Sequence, residues 1–288
     1  HALYTRLEGS DSSRYKADYP DLDCLQKAYQ EGFVYSGQYC PTRRRVHGTS
    51  SSDISPGRFV VFTQNHDQVG NKLLGTRLTS EVSYESVKLG AAATLLSPYL
   101  PLIFMGEELR ETRPFMFFVD HGDPDLIRAV QEGRREAFME EDDTGEFQDP
   151  ADIETFNVCI IDHSRTEDPV NGVIWQLYKD LLTARRTQPA IAPISRLELK
   201  AQVFNAEKCL AVYRNTRFGA TMLLLNFSLQ KQTLPIMLTD KSCGVEDAVQ
   251  TREFALTLDT ASDQYRGPGT TAPGTIRAGI ETPVTVQP

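Results

Sequence analysis

Cysteine is scarce in this sequence, and its few copies follow no binding pattern. The 288 residues include five cysteines, an odd number, and no two of them form a C-x-x-C pair. The histidines are equally scattered and form no H-x-x-x-H pair. This spacing excludes a disulfide framework or a zinc site as the basis of the fold, so we expect reduced thiols and no metal. The cysteines are Cys24, Cys40, Cys159, Cys209 and Cys243.

Long apolar runs are also missing. No uninterrupted apolar stretch approaches the roughly 20 residues that a membrane-spanning helix needs, and the sequence does not open on a charged and then apolar leader. We therefore expect no membrane partner and a cytoplasmic location.

Positive charge is outnumbered by negative charge. Lysine and arginine total 30 and aspartate and glutamate total 39, which gives a formal net charge of −9. A nucleic-acid-binding protein normally shows a basic face that displaces phosphate counterions, so we expect no nucleic-acid partner. The one basic run, Arg43-Arg44-Arg45, is interpreted as a solvated loop because three residues are too few to form such a face.

The composition that remains is that of a globular protein, with 40% hydrophobic and 24% charged residues. Helical patterns over 85–96, 123–139 and 170–186 dominate the first two thirds of the chain. Beyond them, short apolar runs alternate with Asn, Gly and Asp, which indicates an antiparallel β domain. We place the boundary between Gln188 and Ser195, with an α/β domain over 1–190 and an all-β domain over 195–288.

The α/β domain contains one clear strand, helix and strand sequence. Arg58 to Thr63 and Pro101 to Met105 are predicted strands, the second of them buried, and an almost wholly apolar helix over Glu85 to Leu96 lies between them. This order builds parallel sheets. A (β/α)8 barrel needs eight parallel strands and typically about 250 residues, yet only these two strands are convincing. A barrel in this chain is therefore incomplete.

A polar cluster, Gln64-Asn65-His66-Asp67-Gln68, follows the first predicted strand directly. In a parallel barrel the C-terminal ends of the strands carry the chemistry, because the loops that leave them meet at one cavity. The cluster thus predicts a carboxylate and an imidazole in a functional site. The alternative is an ordinary turn, in which Asn65 and Asp67 bond to their own backbone.

A second acidic pair, Glu107 and Glu108, follows the other predicted strand and Gly106. It is either a helix-start pair or solvated turn, or a sugar-binding element on the same face of the barrel. Upstream, Tyr35 and Gln38 are candidates for stacking on glucose rings and for hydrogen bonding to them. Phe115, Phe117 and Phe118 are candidate aromatic contacts as well, and we expect two of the three to belong to the core.

Taken in order, these motifs resemble those of the malto-oligosyltrehalose trehalohydrolases, a branch of the α-amylase superfamily (glycoside hydrolase family 13). The resemblance covers most of the chain. The segments that carry it are Glu31 to Tyr39, Gln64 to Asn71, Leu95 to Pro98, Pro101 to Glu108, Phe115 to His121, Ala255 to Asp259 and Tyr265 to Gly267.

The resemblance implies a fold and a reaction. The fold would be the C-terminal part of a (β/α)8 barrel, about strands seven and eight with their helices, followed by an antiparallel β-sandwich domain. The reaction would be retaining hydrolysis of the α-1,4-glucosidic bond next to the terminal trehalose of malto-oligosyltrehalose. That substrate, an α-1,4-glucan oligosaccharide, is the implied partner, and no cofactor is implied. The oligomeric state is not predicted.

The resemblance also implies roles for individual residues. The family's nucleophilic Asp and acidic Glu would lie upstream of His1, so we expect this chain to be a fragment that is inactive alone. Asp67 matches the third carboxylate, which stabilises the transition state. The substrate-binding residues would be His66, Asn65, Gln68, Glu107, Glu108, Tyr35 and Gln38.

Three alternatives stay open from the sequence. His66 would be a hydrogen-bonded core imidazole if the family context did not apply. The enzyme would be another member of the superfamily, such as a glucan-branching enzyme. The chain would otherwise be a carbohydrate-binding relic that has lost its catalytic acids.

Overall fold

The structure is a computed structural model that describes residues 1–9, 16–138, 147–191, 198–236, 253–277 and 282–288. The chain divides into two compact units. The first unit comprises His1–Thr63, Glu85–Leu102 and Gln176–Pro288, and the second comprises Gln64–Tyr84 and Ile103–Trp175. Both sides of the predicted boundary near residue 190 fall in the first unit, and residues 192–197 lie outside the described part. The two predicted domains therefore stay a prediction.

Eight α-helices and eleven strands are described, along with short 3₁₀ helices. The helices are α1 (Ala2–Glu8), α2 (Leu22–Glu31), α3 (His66–Gly70), α4 (Leu78–Glu81), α5 (Tyr84–Leu95), α6 (Pro124–Phe138), α7 (Ile153–Asn157) and α8 (Asn171–Thr187). The strands are β1 (Gln38–Cys40), β2 (Arg45–His47), β3 (Val60–Val61), β4 (Leu100–Pro101), β5 (Leu199–Phe204), β6 (Cys209–Thr216), β7 (Gly219–Asn226), β8 (Gln232–Ile236), β9 (Glu253–Ala255), β10 (Thr275–Arg277) and β11 (Thr282–Val286).

The predicted parallel strand pair is present in the first unit. β3 pairs with β4 in parallel, with Val60 opposite Leu100. The strands are shorter than predicted. The second predicted strand, Pro101 to Met105, is buried only in part, since Leu102 and Met105 are 38% and 51% exposed whereas Phe104 is buried. The reason is that β3 and β4 have no further strand beside them within the described residues, so their side chains stay open to solvent.

Helix α5 is buried, as its sequence predicts. The chain is almost continuously apolar between Val87 and Leu95, with small side chains at Ala91, Ala92 and Ala93, and all five of these residues are buried. Such a helix has no polar face to turn towards water, so it is stable only when surrounded by protein.

The antiparallel β structure predicted for the C-terminal part is confirmed in the described residues. β5, β6 and β7 form an antiparallel meander in which β6 is central. β8 pairs with β11, and β9 pairs with β10, both antiparallel. Residues 195–197, 237–252 and 278–281 of the predicted all-β domain lie outside the described residues.

Strand β6 is buried on both of its faces, and this explains its apolar sequence. Leu210 and Val212 pack in one cluster with Leu25 and Tyr29 of α2, whereas Ala211 and its alternate neighbours pack in a second cluster. Because successive side chains point to opposite faces of a strand, burial on both faces requires an uninterrupted apolar run. The second cluster contains Cys209, Ala211, Tyr213, Leu234, Ile236, Ile276 and Val284.

A buried lysine joins α5 to the segment after β9. Lys88 has 0% exposure, and its Nζ donates to the carbonyl oxygens of Thr260 at 2.7 Å and Tyr265 at 3.1 Å. It also forms an ion pair of 2.8 Å with Glu85 one turn earlier. The buried ammonium group is therefore compensated by one carboxylate and two carbonyl oxygens, as a buried charge must be.

The segment that receives Lys88 is a tight loop. The Tyr265 hydroxyl donates to Asp180 Oδ2 at 2.7 Å, and Arg266 adopts a positive φ of 54°. A Cβ atom on Gly267 would lie 2.3 Å from the Ala261 carbonyl oxygen, so only glycine fits there. Local packing thus gives the Tyr265-Arg266-Gly267 motif a structural reason.

The second unit is built around loops and short helices. Its longest described helix is α6, and the predicted last residue of that helix, Met139, lies outside the described part. Phe104, Phe115, Phe118 and Phe156 form a row of edge contacts, with ring centroids 5.2, 5.9 and 5.2 Å apart. Phe117 is 39% exposed and stands outside this row. Phe115 and Phe118 therefore pack with other aromatic rings, but both are only partly buried, so the expectation that two of the three belong to the core stays a prediction.

Candidate functional site

The polar cluster predicted from the sequence forms the start of α3 in the second unit. Asn65 is the N-cap of this helix, and its Oδ1 accepts a hydrogen bond of 3.0 Å from the backbone N–H of Gln68. This bond satisfies one of the free N–H groups of the first turn. The Asn65 part of the turn alternative is therefore present, and a sugar contact by Asn65 stays a prediction.

His66 and Asp67 have a different environment. Their side chains are 70% and 74% exposed, and His66 Nε2 lies 3.4 Å from Asp67 Oδ1. Among the described residues, no hydrogen bond joins the Asp67 carboxylate to the backbone, so its side chain is not the turn-forming element. His66 is not a core imidazole in this structure. An exposed carboxylate beside an exposed imidazole is available to bind a ligand.

Gln68 differs from both neighbours because it is 9% exposed. Its side chain is turned into the protein and away from solvent, which weighs against the predicted substrate contact. Gln64, which the sequence analysis did not single out, is 1% exposed, and its Oε1 accepts a 3.0 Å bond from the backbone N–H of Leu78 at the start of α4. The two glutamines flank the exposed pair in the sequence, and both are buried.

Glu107 and Glu108 lie in a 3₁₀ turn that begins at Gly106, whose φ is 92°. Glu107 is buried, and its Oε2 accepts a 3.2 Å bond from the N–H of Phe104. Glu108 Oε2 accepts a 3.1 Å bond from the N–H of Gly106. Both carboxylates thus bond to the turn itself, which is the structural alternative left open by the sequence, and their sugar contacts stay predictions.

Glu111, which the sequence analysis missed, is the most enclosed carboxylate of this loop. It has 0% exposure. Its Oε1 accepts bonds of 2.8 Å from the N–H groups of Thr112 and Arg113, and its Oε2 accepts one of 2.8 Å from the N–H of Asp162. Burial raises the pKa of Glu111. These three N–H donors and nearby Arg165 together lower the pKa by more than burial raises it, so it lies below the ordinary value of 4.5.

We expect Glu111→Gln to lower the free energy of unfolding by about 2 kcal/mol, because one carboxylate oxygen becomes an NH2 group that faces a backbone donor. The loss should be largest above pH 4.5. Below that pH the unfolded chain of the parent takes up a proton before the folded one does, and the stability supplied by the carboxylate is lost. Urea unfolding at several pH values measures this, with exposed Glu136→Gln as the control. Equal effects of the two substitutions would contradict the assignment.

Arg77 holds the same loop from the other side. It is 1% exposed, and it donates to the carbonyl oxygens of Arg113 at 2.7 Å and Met105 at 2.8 Å. Its guanidinium carbon lies 5.0 Å from the centre of the Phe104 ring. The Arg77 acceptors lie 36 and 28 positions away in the chain, and one Glu111 donor lies 51 positions away, so these contacts have no local sequence signal.

Tyr35 and Gln38 belong to the first unit. The Tyr35 hydroxyl donates to the Asp18 carbonyl oxygen at 2.9 Å, and burial raises the pKa of this hydroxyl above its ordinary value. Gln38 Oε1 accepts a 2.7 Å bond from the N–H of Ser36. Both side chains therefore make local bonds, and their predicted contacts with glucose stay untested.

The structure bears on the thiol and metal predictions only within the described residues. Cys24, Cys40, Cys159 and Cys209 are free thiols, and Cys243 lies outside the described residues. In the described ranges, His, Cys, Asp and Glu side chains do not form a group of three or more suited to a metal ion. Likewise, none of the described helices has the length and hydropathy of a membrane span.

Known proteins resemble this chain closely in sequence. The malto-oligosyltrehalose trehalohydrolase of Saccharolobus solfataricus is 41% identical over 186 residues, which cover 65% of this chain and 31% of that protein. The protein of the same name from Rhizobium sp. strain M-11 is 32% identical over 253 residues, which cover 87% of this chain and 42% of that protein. This chain belongs to the malto-oligosyltrehalose trehalohydrolase family. No protein-family model matches it.

Solved structures agree with this assignment at the level of the fold. A crystal structure of a Salmonella typhimurium protein assigned to the alpha amylases has 28% identity and a TM-score of 0.74, and it aligns with 99% of this chain and 45% of its own length. The pullulanase type I of Bacillus subtilis, at 11% identity and a TM-score of 0.55, shows the same fold over 100% of this chain and 33% of its own length. This chain therefore has an α/β fold of the α-amylase type.

This chain aligns with only part of the length of each relative. The chain spans 31% and 42% of the two trehalohydrolases described above. Membership of the family is thus established for the matched residues, while the reaction of the whole protein requires an argument of its own.

Proposed function

We propose that this chain forms part of a retaining glycoside hydrolase that releases trehalose from malto-oligosyltrehalose. The bond cleaved is the α-1,4-glucosidic bond next to the terminal trehalose. The observation that carries the proposal is the 32% identity to a named malto-oligosyltrehalose trehalohydrolase over 87% of the chain. The exposed pair of His66 and Asp67 supports it, because it offers hydrogen-bonding groups to sugar hydroxyls.

The reaction assigns a specific task to Asp67. When the glycosidic bond breaks, the leaving oxygen takes a proton from an acid and the sugar ring gains positive, oxocarbenium-like charge. A nucleophilic carboxylate then bonds to the anomeric carbon, and water releases the sugar with retention. A further carboxylate that bonds to the ring hydroxyls is favoured most when this charge develops. Asp67 takes that role, and His66 shares the hydroxyl contacts.

The proposal places the nucleophile and the acid in the part of the enzyme that this chain does not span. The chain would contribute strands seven and eight of a (β/α)8 barrel, represented by β3 and β4, and a C-terminal antiparallel β-sandwich. The parallel pairing of β3 with β4 and the antiparallel pairing of β5 to β7 support this arrangement. No cofactor takes part in the proposed reaction.

We expect the purified 288-residue chain to release no trehalose from maltotriosyltrehalose, because it supplies one stabilising carboxylate and neither reacting group. The measurement is an enzymatic assay for free trehalose after preparation from a host that lacks this activity. Trehalose release above the blank would contradict this division of the catalytic residues.

The function itself is tested in a chimera, in which this chain replaces the segment that it matches in the Rhizobium trehalohydrolase. We expect the chimera to release trehalose from maltotriosyltrehalose. Amylose is the second substrate, since a branching enzyme would change its branch content and release no trehalose. A folded chimera that binds maltotriosyltrehalose without cleaving it would contradict the proposal that this segment serves a trehalose-releasing hydrolase.

A further inference from the structure

Arg134 of α6 connects that helix to the C-terminal end of α3, the helix that carries the exposed pair. Its Nη1 donates to Asn71 Oδ1 at 2.6 Å, and its Nη2 donates to the Gly70 carbonyl oxygen at 2.6 Å. Asn71 in turn donates through Nδ2 to the Asp67 carbonyl oxygen at 2.8 Å. One guanidinium group thus reaches the backbone of Asp67 through a single intermediate side chain.

The orientation of the guanidinium group is fixed by aromatic rings. Its central carbon lies 4.4 Å from the centre of the Phe117 ring and 4.9 Å from that of Phe138. Arginine suits this position better than lysine, because a guanidinium group can lie beside aromatic rings and donate to two acceptors from two different nitrogen atoms.

Helix α3 needs an external support of this kind. It contains five residues, and isolated helices shorter than about 12 residues are marginal in water. The N-terminal end is capped by Asn65. At the other end the last carbonyl groups have no partner within a helix, and a cation is favoured there by the helix dipole. Arg134 supplies both a donor and a positive charge.

We propose that Arg134 is a positioning residue, which fixes the C-terminal end of α3 and thereby the backbone from which His66 and Asp67 project. Its catalytic consequence rests on the proposed function, whereas its structural consequence does not. Arg134 itself does not contact the sugar. Loss of Arg134 removes neither functional side chain, but it lets the helix that carries both of them move.

The structural consequence is measured in the 288-residue chain by hydrogen exchange. The N–H of Val69 donates to the Asn65 carbonyl oxygen, and that of Lys72 donates to the Val69 carbonyl oxygen. We expect Arg134→Gln to raise the exchange rates of these amides by about tenfold, as local opening becomes easier. Arg135→Gln is the matched control, since Arg135 is exposed on the same helix and its guanidinium carbon lies 5.3 Å from the centre of the Phe147 ring. Unchanged exchange in Arg134→Gln would overturn the proposal.

The catalytic consequence is measured in the chimera with the Rhizobium enzyme. We expect Arg134→Gln to lower kcat about tenfold to a hundredfold, since a displacement of about 1 Å costs rate on this scale. KM should stay within about twofold, because the groups that bind the substrate are retained. Arg134→Lys should recover part of kcat, and Arg135→Gln should match the parent. Rates are compared at a temperature at which circular dichroism shows every variant to be folded.

The two measurements separate this proposal from the proposed function. If Asp67→Asn lowers kcat while Arg134→Gln behaves like Arg135→Gln, the function stands and the positioning role is overturned. If Asp67→Asn leaves kcat unchanged, the function assigned to Asp67 fails. The exchange rates then still decide whether Arg134 fixes α3.

Discussion

Asp67→Asn in the chimera is expected to lower kcat for trehalose release by a factor on the order of 10²–10³, with little change in KM. The substitution keeps the shape of the side chain and removes its charge. If the carboxylate bonds most strongly to the ring hydroxyls as positive charge develops, its loss falls on the transition state and not on substrate binding. Steady-state kinetics with maltotriosyltrehalose measure both constants.

The structure makes this test sharper than the sequence allowed. The carboxylate is 74% exposed, and the N-cap of α3 is Asn65, so Asn at position 67 removes no backbone hydrogen bond described for the helix. The melting temperature should therefore stay that of the parent. Asp125→Asn is a matched control, since Asp125 also lies exposed in the first turn of a helix. A kcat within a few fold of the parent would leave Asp67 with no catalytic role.

Lys88→Met is expected to lower the free energy of unfolding of the 288-residue chain by about 3 kcal/mol. Methionine fills a similar volume but leaves the carbonyl oxygens of Thr260 and Tyr265 without this donor, and it removes the partner of Glu85. Unsatisfied buried polar groups cost about 1–3 kcal/mol each. Glu85 is 31% exposed, so water compensates part of its loss.

The control for Lys88 is Lys27→Met. Lys27 forms a 3.7 Å pair with Glu31 on the surface of α2, where both side chains are partly exposed. Exposed pairs of this kind contribute about 0.3–0.5 kcal/mol. Urea denaturation followed by circular dichroism compares the two variants. Similar losses in both would show that the buried ammonium group does not tie α5 to the loop after β9.

The sequence by itself determined the regular elements and the family. Periodicity predicted α5, α6 and α8, because a helix repeats its apolar positions within a few residues. Alternating and continuous apolar runs gave β6 and β7 for the same local reason. The order of the motifs around Asp67 gave the resemblance that the related proteins support.

The tertiary structure decided the environment of each candidate residue. Within one polar cluster it left His66 and Asp67 exposed and buried Gln68, although all three are equally polar in sequence. It also turned Glu107 and Glu108 towards their own backbone. Which side of a short helix or turn faces solvent depends on what packs against it, and nothing in a run of polar residues specifies that.

The supporting residues Arg134 and Glu111 could not be identified from the sequence, for a related reason. Arg134 bonds to a residue 63 positions away, and Glu111 accepts a bond from one 51 positions away. Turn chemistry and periodicity act over a few neighbouring residues, so they carry no information about such pairs. The sequence alone determined that this chain has helices, strands and an aspartate in a family motif. Only the folded chain determined which arginine and which glutamate hold the surrounding backbone in place, because that depends on where distant segments meet.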